Sequence, residues 1–314
     1  MHSIQVTEPV FANIGALLEC PTFDKRNGIL YYIDITNCKV MAYKIPQLEC
    51  DSQSASTILN LSAGDVKIID TPSVVGHLSL TSDEKILLLG LKNGIYLLNV
   101  ETEKFEILAD YSHGSNLQSN DGAVAPDGKF WIGTMSEDEK RGSGSLYYFE
   151  NNKLVKFQEN VSVPNGTQWI KTGEDSYDMI WADSGDGAVY KIPYQFGQIP
   201  KFNERKVLFS TPKAATFGLE VTSQFPGEPD GSCLDENDNL YICLWEGNRV
   251  VRISKDGSCD LEIVFPVSNV TCCCFINGDL WVTTAESSEG QNNGGLWKVE
   301  DLKKFGKSKG QWSI

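Results

Sequence analysis

Ser119-Asn120-Asp121-Gly122-Ala123-Val124-Ala125-Pro126-Asp127-Gly128-Lys129-Phe130-Trp131-Ile132-Gly133-Thr134-Met135 carries the pattern that decides the fold. A polar triplet with turn chemistry runs into a short apolar strand, Asp127-Gly128 reverses the chain, and an aromatic-rich strand follows. The same opening recurs at Pro164-Asn165-Gly166 and at Pro229-Asp230-Gly231. Outward from these three points, apolar runs are short, rich in Val, Ile, Tyr, Phe and Trp, and punctuated by Gly, Asn and Asp. No sustained helical period interrupts them; the best helical stretch, Asp301 to Lys307, is a lysine-rich tail expected to be one turn or frayed coil.

Six similar units emerge, opening at Leu18, Val75, the quoted hairpin, Asn165, Asp230 and Val270. Each supplies three clear strands and a vaguer fourth, at a period of roughly 40 to 60 residues that marks propeller blades. The fold expected is therefore all-β, a six-bladed β-propeller of four-stranded blades forming a single domain over residues 1–314. The last unit lacks an outer strand, and Ser3 to Val10 forms a strand without a blade. The N-terminal strand is thus expected to complete the last blade and close the ring. In such a ring the first strand of each blade lines the channel. That gathers Glu19, His77, Asn120, Asn165, Asp230 and Thr271, which are far apart in sequence, at the mouths of successive strands.

The chain has 314 residues, 41% of them hydrophobic, and a formal net charge of −15. That balance argues against nucleic acid and anionic membranes as partners, since both require clustered Lys and Arg. No apolar run approaches the roughly 20 residues of a spanning helix, and Met1 to Glu8 has no basic or apolar leader. Nine cysteines, three of them consecutive at Cys272, Cys273 and Cys274, read as small buried hydrophobes of a cytoplasmic protein.

Glu19, Asn120, Asn165 and Asp230 all offer oxygen, and neither His nor Cys accompanies them at metal-ligand spacing. Oxygen donors of this kind suit a hard divalent cation, calcium above all, with zinc, manganese or magnesium as alternatives. A cation held there would polarise a carbonyl, and Asp230 would ligate it or take a proton from water. Ester or lactone hydrolysis is the reaction type these parts fit, because it needs no organic cofactor. The alternative is a calcium-binding propeller without catalysis. The expected partner is a small molecule, with the chain a monomer or weak oligomer.

The patterns Glu19-Cys20-Pro21, Asn120-Asp121-Gly122 with Phe130-Trp131-Ile132-Gly133-Thr134-Met135, Pro164-Asn165-Gly166 with Tyr177 to Ser184, and Pro229-Asp230-Gly231 with Asn239-Leu240-Tyr241 resemble the SMP-30/gluconolactonase family. The likeness runs in order along nearly the whole chain. It implies a six-bladed propeller with a divalent cation on Glu19, Asn165 and Asp230, Asn120 in the substrate cavity, and Asp230 as base in lactone hydrolysis. An acidic residue after Gly-Thr-Met contacts substrate in the family; Glu137 and Asp138 are available, and Asp138 matches the spacing better. Two positions depart from the pattern. Cys20 replaces the usual glycine, and Gln118 stands where sugar-lactonase members commonly carry arginine, so Gln118 becomes the residue expected to set substrate choice.

Other matches fail on chemistry. Asp235, Asn237, Asn239 and Glu246 fit EF-hand positions, but Leu240 occupies the position that requires glycine, so Asn237-Asp238 reads as a blade turn. Ser112 and His113 lack a Gly-x-Ser-x-Gly elbow. His77 reads as packed or hydrogen-bonded beside a first strand, and Asp183 as a hydrogen-bonding residue of its blade.

Overall fold

A computed structural model of the chain describes residues 1–46, 66–111, 116–287, 294–300, 302, 304–307 and 309–314. Its first strand, β1 (His2–Gln5), precedes the blades. Blade one holds β2 (Leu18–Asp24), β3 (Ile29–Asp34), β4 (Lys39–Lys44) and β5 (Val66–Asp70). Blade two holds β6 (Val75–Leu80), β7 (Ile86–Leu91), β8 (Gly94–Asn99) and β9 (Lys104–Asp110). The third comprises β10 (Leu117–Val124), β11 (Phe130–Ser136), β12 (Gly144–Glu150) and β13 (Lys153–Val161), and the fourth β14 (Pro164–Lys171), β15 (Ser176–Asp183), β16 (Ala188–Gln195) and β17 (Lys206–Ser210). Blade five has β18 (Glu228–Leu234), β19 (Leu240–Trp245), β20 (Arg249–Ile253) and β21 (Cys259–Val264), and blade six β22 (Val270–Ile276), β23 (Asp279–Thr284) and β24 (Leu296–Val299). Each blade is an antiparallel meander in sequence order. The first strands touch in the cycle β2, β6, β10, β14, β18, β22 and back to β2, so the sheets form a closed six-bladed propeller.

The core is divided rather than central. Six apolar clusters form, one between each pair of neighbouring blades. Alternate residues of one strand serve opposite neighbours: Tyr31 and Ile33 of β3 pack toward blade two, while Leu30 and Tyr32 pack toward blade six. A strand buried on both faces has no polar side, which is why these segments read as unbroken apolar runs.

Closure departs from the expected scheme. Strand β1 does not complete the last blade; it lies parallel on β21, with His2 opposite Leu261 and Gln5 opposite Val264, and makes blade five five-stranded. Its residue Ile4, with Val6 beyond it, packs against the cluster between blades five and six. Strand β1 ends at Gln5, ahead of Pro9, which has no N–H to donate. The edge of β24 is taken up by the next residues: Val10 and Phe11 donate to Leu296 O at 2.8 and 3.1 Å, and Ile14 donates to Gly294 O at 2.9 Å. At the inner rim, Thr271 Oγ1 donates to Leu18 O at 2.6 Å, tying blade six to blade one. Thr271→Val leaves that buried carbonyl unpaired and is expected to lower stability by about 1–2 kcal/mol, measured as a lower urea midpoint at unchanged slope.

The C-terminal residues are not helical where described. They cross the lower end of the ring, with Lys307 N donating to Leu234 O at 3.0 Å and Trp312 N to Leu80 O at 3.0 Å. Asp301 and Lys303, within the stretch expected to form a turn, lie outside the described residues, as do Ser112 and His113.

Candidate active site and cation centre

The polar triplets are not turns at strand mouths. Asn120-Asp121-Gly122, Asn165-Gly166 and Asp230-Gly231 lie inside the innermost strands, and in all six blades the register between first and second strand slips there. A β-bulge turns consecutive side chains toward one side, a common device for aiming groups into a site. Gly166 has a φ of 54°, the left-handed region, and a β-carbon there would sit 2.8 Å from Asp230 O. Glycine is therefore required for blades four and five to approach.

The bulges bring Glu19, Gln118, Asn120, Asn165 and Asp230 to the wall of one cavity of 260 Å³ at the upper end of the channel. The other two ring positions go elsewhere. His77 lines the cavity below, with Gly76 in its place above, and Thr271 is the interblade strut.

A chain of hydrogen bonds fixes both amides. Ser184 Oγ donates to Pro229 O at 2.6 Å and so accepts from Asn165 Nδ2 at 2.9 Å. That leaves Asn165 Oδ1 to accept from Asn120 Nδ2 at 3.0 Å, with a lone pair to spare. Asn120 Nδ2 also donates to Pro164 O at 2.9 Å. Both N–H bonds of Asn120 are thus used, and only its carbonyl oxygen can meet a ligand.

Glu19 and Asp230 are buried, at 9% and 7% exposure, and neither has an ion-pair partner among the described residues. Burial, with Asp230 and Asp121 close by, holds the Glu19 carboxyl well above the usual carboxylate range. Desolvation, then Asp121 and Glu228, does the same to Asp230. Two buried carboxylates facing each other without a countercharge are costly unless a proton or a cation comes between them. The donor set is all oxygen, with no His or Cys on this wall, and fits a hard divalent ion such as calcium.

Asp138 does not line the cavity. Met135, Glu137 and Glu139 do. The chain turns directly after β11, with Glu139 N donating to Ser136 O at 2.9 Å and Glu139 at a φ of 52°, and this turn brings 137 and 139 to the wall. Glu228, Glu246, Trp245 and Ser184 also reach the wall and were not assigned to it from the sequence, because they come from the start of β18 and the ends of β19 and β15. Asp183 is structural, its carboxylate accepting from Ser162 N, Val163 N and Gly185 N at 2.9 to 3.1 Å. Asp235 caps its own turn, accepting from Asn237 N and Asn239 N at 2.9 Å, so no EF-hand forms.

A family model for the SMP-30/Gluconolactonase/LRE-like region matches residues 17–286. Regucalcin of Xenopus laevis is 26% identical over 325 residues, covering 96% of each chain. The Bacillus subtilis protein YvrE, named provisionally as a sugar lactone lactonase, is 27% identical over 297 residues and 90% of each chain. Among solved structures, regucalcin of Agrobacterium tumefaciens, described as a calcium-binding protein, has a TM-score of 0.78 at 20% identity and covers 100% of this chain and 99% of that one. At that identity the structural likeness speaks to fold.

Proposed function

Because the chain belongs to the SMP-30/gluconolactonase/LRE-like family, we propose that it is a divalent-metal-dependent hydrolase of lactones or related esters, acting in the upper cavity. The observation that carries this reading is the pair of buried, uncompensated carboxylates, Glu19 and Asp230, beside two amides whose oxygens keep a lone pair for a ligand. Glu19, Asn165 and Asp230 would hold the ion; calcium suits the oxygen donors best. When bound, the ion supplies positive charge that polarises an ester carbonyl. Asp230 takes the proton from the attacking water. Asn120 Oδ1 accepts from a substrate hydroxyl, and Gln118 supplies a neutral contact where relatives commonly place arginine. Leu17, Ile35 and Met135 cover the apolar part of the ring.

Wall charge bears on the substrate. Glu137, Glu139, Glu228 and Glu246 surround the site, and only Glu137 and Glu228 have lysine partners, Lys92 and Lys213, among the described residues. Neutral lactones are expected to exceed carboxylated ones by about 10-fold in kcat/KM at low salt, the gap narrowing as salt screens the wall. A panel of neutral and anionic lactones assayed with Ca, Mn, Mg and Zn tests this; turnover that persists after chelation would remove the reading. A second reading, a calcium-binding propeller without turnover, is favoured by the likeness to regucalcin and by Gln118. It fails if any lactone is turned over in an Asp230-dependent way. The free cysteines suit a reducing, cytoplasmic compartment.

A further inference from the structure

Beneath the proposed catalytic cavity, a second cluster uses different chemistry. Cys20, His77 and Asp121 offer one sulfur, one nitrogen and one oxygen, all within 4.8 Å of one another. Cys20 Sγ lies 3.3 Å from His77 Nδ1, and Asp121 Oδ1 lies 3.0 Å from that same nitrogen. In a nucleophile–imidazole–acid relay the two partners bind opposite ring nitrogens. Here both converge on one, which is the arrangement of ligands around a common centre.

The remaining contacts define what an ion would meet: Cys20 Sγ donates to Leu78 O at 3.2 Å and would give up that proton. His77 Nε2 is 2.8 Å from Ser79 Oγ, which can accept its proton; Nδ1 then accepts from Gly122 N at 3.1 Å, the one bond an ion at the cluster would replace. Asp121 Oδ2 accepts from Gly166 N at 2.9 Å and Oδ1 from Gly122 N at 2.8 Å, so Oδ1 keeps one lone pair for the centre. Tetrahedral zinc holds adjacent N, O and S ligands roughly 3.3 to 3.6 Å apart, so small side-chain shifts suffice. Cys20 also has a φ of 54°, a conformation that favours glycine, and backbone strain of this kind tends to persist at functional sites. A cavity of 340 Å³, lined by His77, Asp121, Cys272 and Lys309, lies alongside and has room for a water as fourth ligand.

We propose that Cys20, His77 and Asp121 form a second metal site, below the oxygen-lined one and sharing with its cavity the wall residue Asp121, that takes a borderline transition ion such as zinc with water in the open position. Thiolate and carboxylate together balance the dication, and binding displaces protons from the thiol and imidazole. The site does not depend on the lactonase reading.

Cobalt(II) chloride titrated into calcium-loaded full-length protein tests it. The expected result is a saturable thiolate-to-cobalt charge-transfer absorption that Glu19→Gln retains and that Cys20→Ser and His77→Gln lose. No such absorption in the unsubstituted protein, or one that survives Cys20→Ser, overturns the proposal. Should the variants fail to fold, crystals of the unsubstituted protein soaked in zinc chloride decide the matter. A zinc-edge anomalous peak among Cys20 Sγ, His77 Nδ1 and Asp121 Oδ1 supports the site, and no peak there overturns it.

Discussion

Asp230→Asn is expected to lower kcat/KM for a neutral lactone by on the order of 10³-fold, because one substitution removes both an anionic ligand and the proposed base. The fold should tolerate it. Asparagine has nearly the same shape, and β18 is pinned by contacts that do not involve the carboxylate. Ser184 Oγ holds Pro229 O at 2.6 Å, and Gln168 Nε2 holds Ser232 O at 2.9 Å. Circular dichroism should therefore stay close to that of the parent protein while turnover collapses. A loss smaller than about 10-fold would show that Asp230 neither ligates nor accepts a proton in the slow step.

Calcium is expected to add about 4 kcal/mol of stability at roughly a thousand times its dissociation constant, and to change how stability responds to pH. The sign follows from the raised carboxyls. With no cation present, Glu19 and Asp230 bind protons more tightly folded than unfolded. Their contribution to stability therefore falls as pH rises from about 4 upward. Calcium replaces those protons, so its benefit grows over the same range. Other carboxyls act oppositely: Asp121, Asp238 and Asp260 are lowered and favour folding at higher pH. The informative quantity is thus the difference between the parent protein and Glu19→Gln, by urea denaturation at pH 5 and pH 8 with chelator and with calcium. Glu19→Gln should be the more stable of the two at pH 8 in chelator and should gain little from calcium.

The propeller was legible because its repeat is physical: each blade must bury both faces, so each second strand reads as an apolar run such as Ile86-Leu87-Leu88-Leu89 or Leu240-Tyr241-Ile242. The convergence of Glu19, Asn120, Asn165 and Asp230 on one cavity followed from placing first strands around an axis. What escaped was local backbone geometry. Asn-Asp-Gly and Pro-Asn-Gly favour turns and bulges alike, and only pairing to a second strand distinguishes them. Choosing Asp138 over its neighbours depended on spacing, whereas the turn after β11 brings Glu137 and Glu139 to the cavity wall.

Long-range contacts with no sequence signal were also missed. Nothing in His2–Gln5 specifies pairing with β21 rather than β24, and nothing in the lysine-rich tail announces that Lys309 Nζ will bond Pro21 O at 3.1 Å across the channel. Cys20 was visible as a departure from glycine, but its partner His77 lies 57 residues away.

Hydrolysis of a neutral lactone by chelator-treated protein, followed as calcium is returned, tests the account most directly, with Glu19→Gln measured in parallel. With the ion held by Glu19, Asn165 and Asp230, chelation should abolish turnover, calcium should restore it saturably, and Glu19→Gln should need far more calcium and recover little. Undiminished turnover after chelation, or full activity in Glu19→Gln, would contradict it.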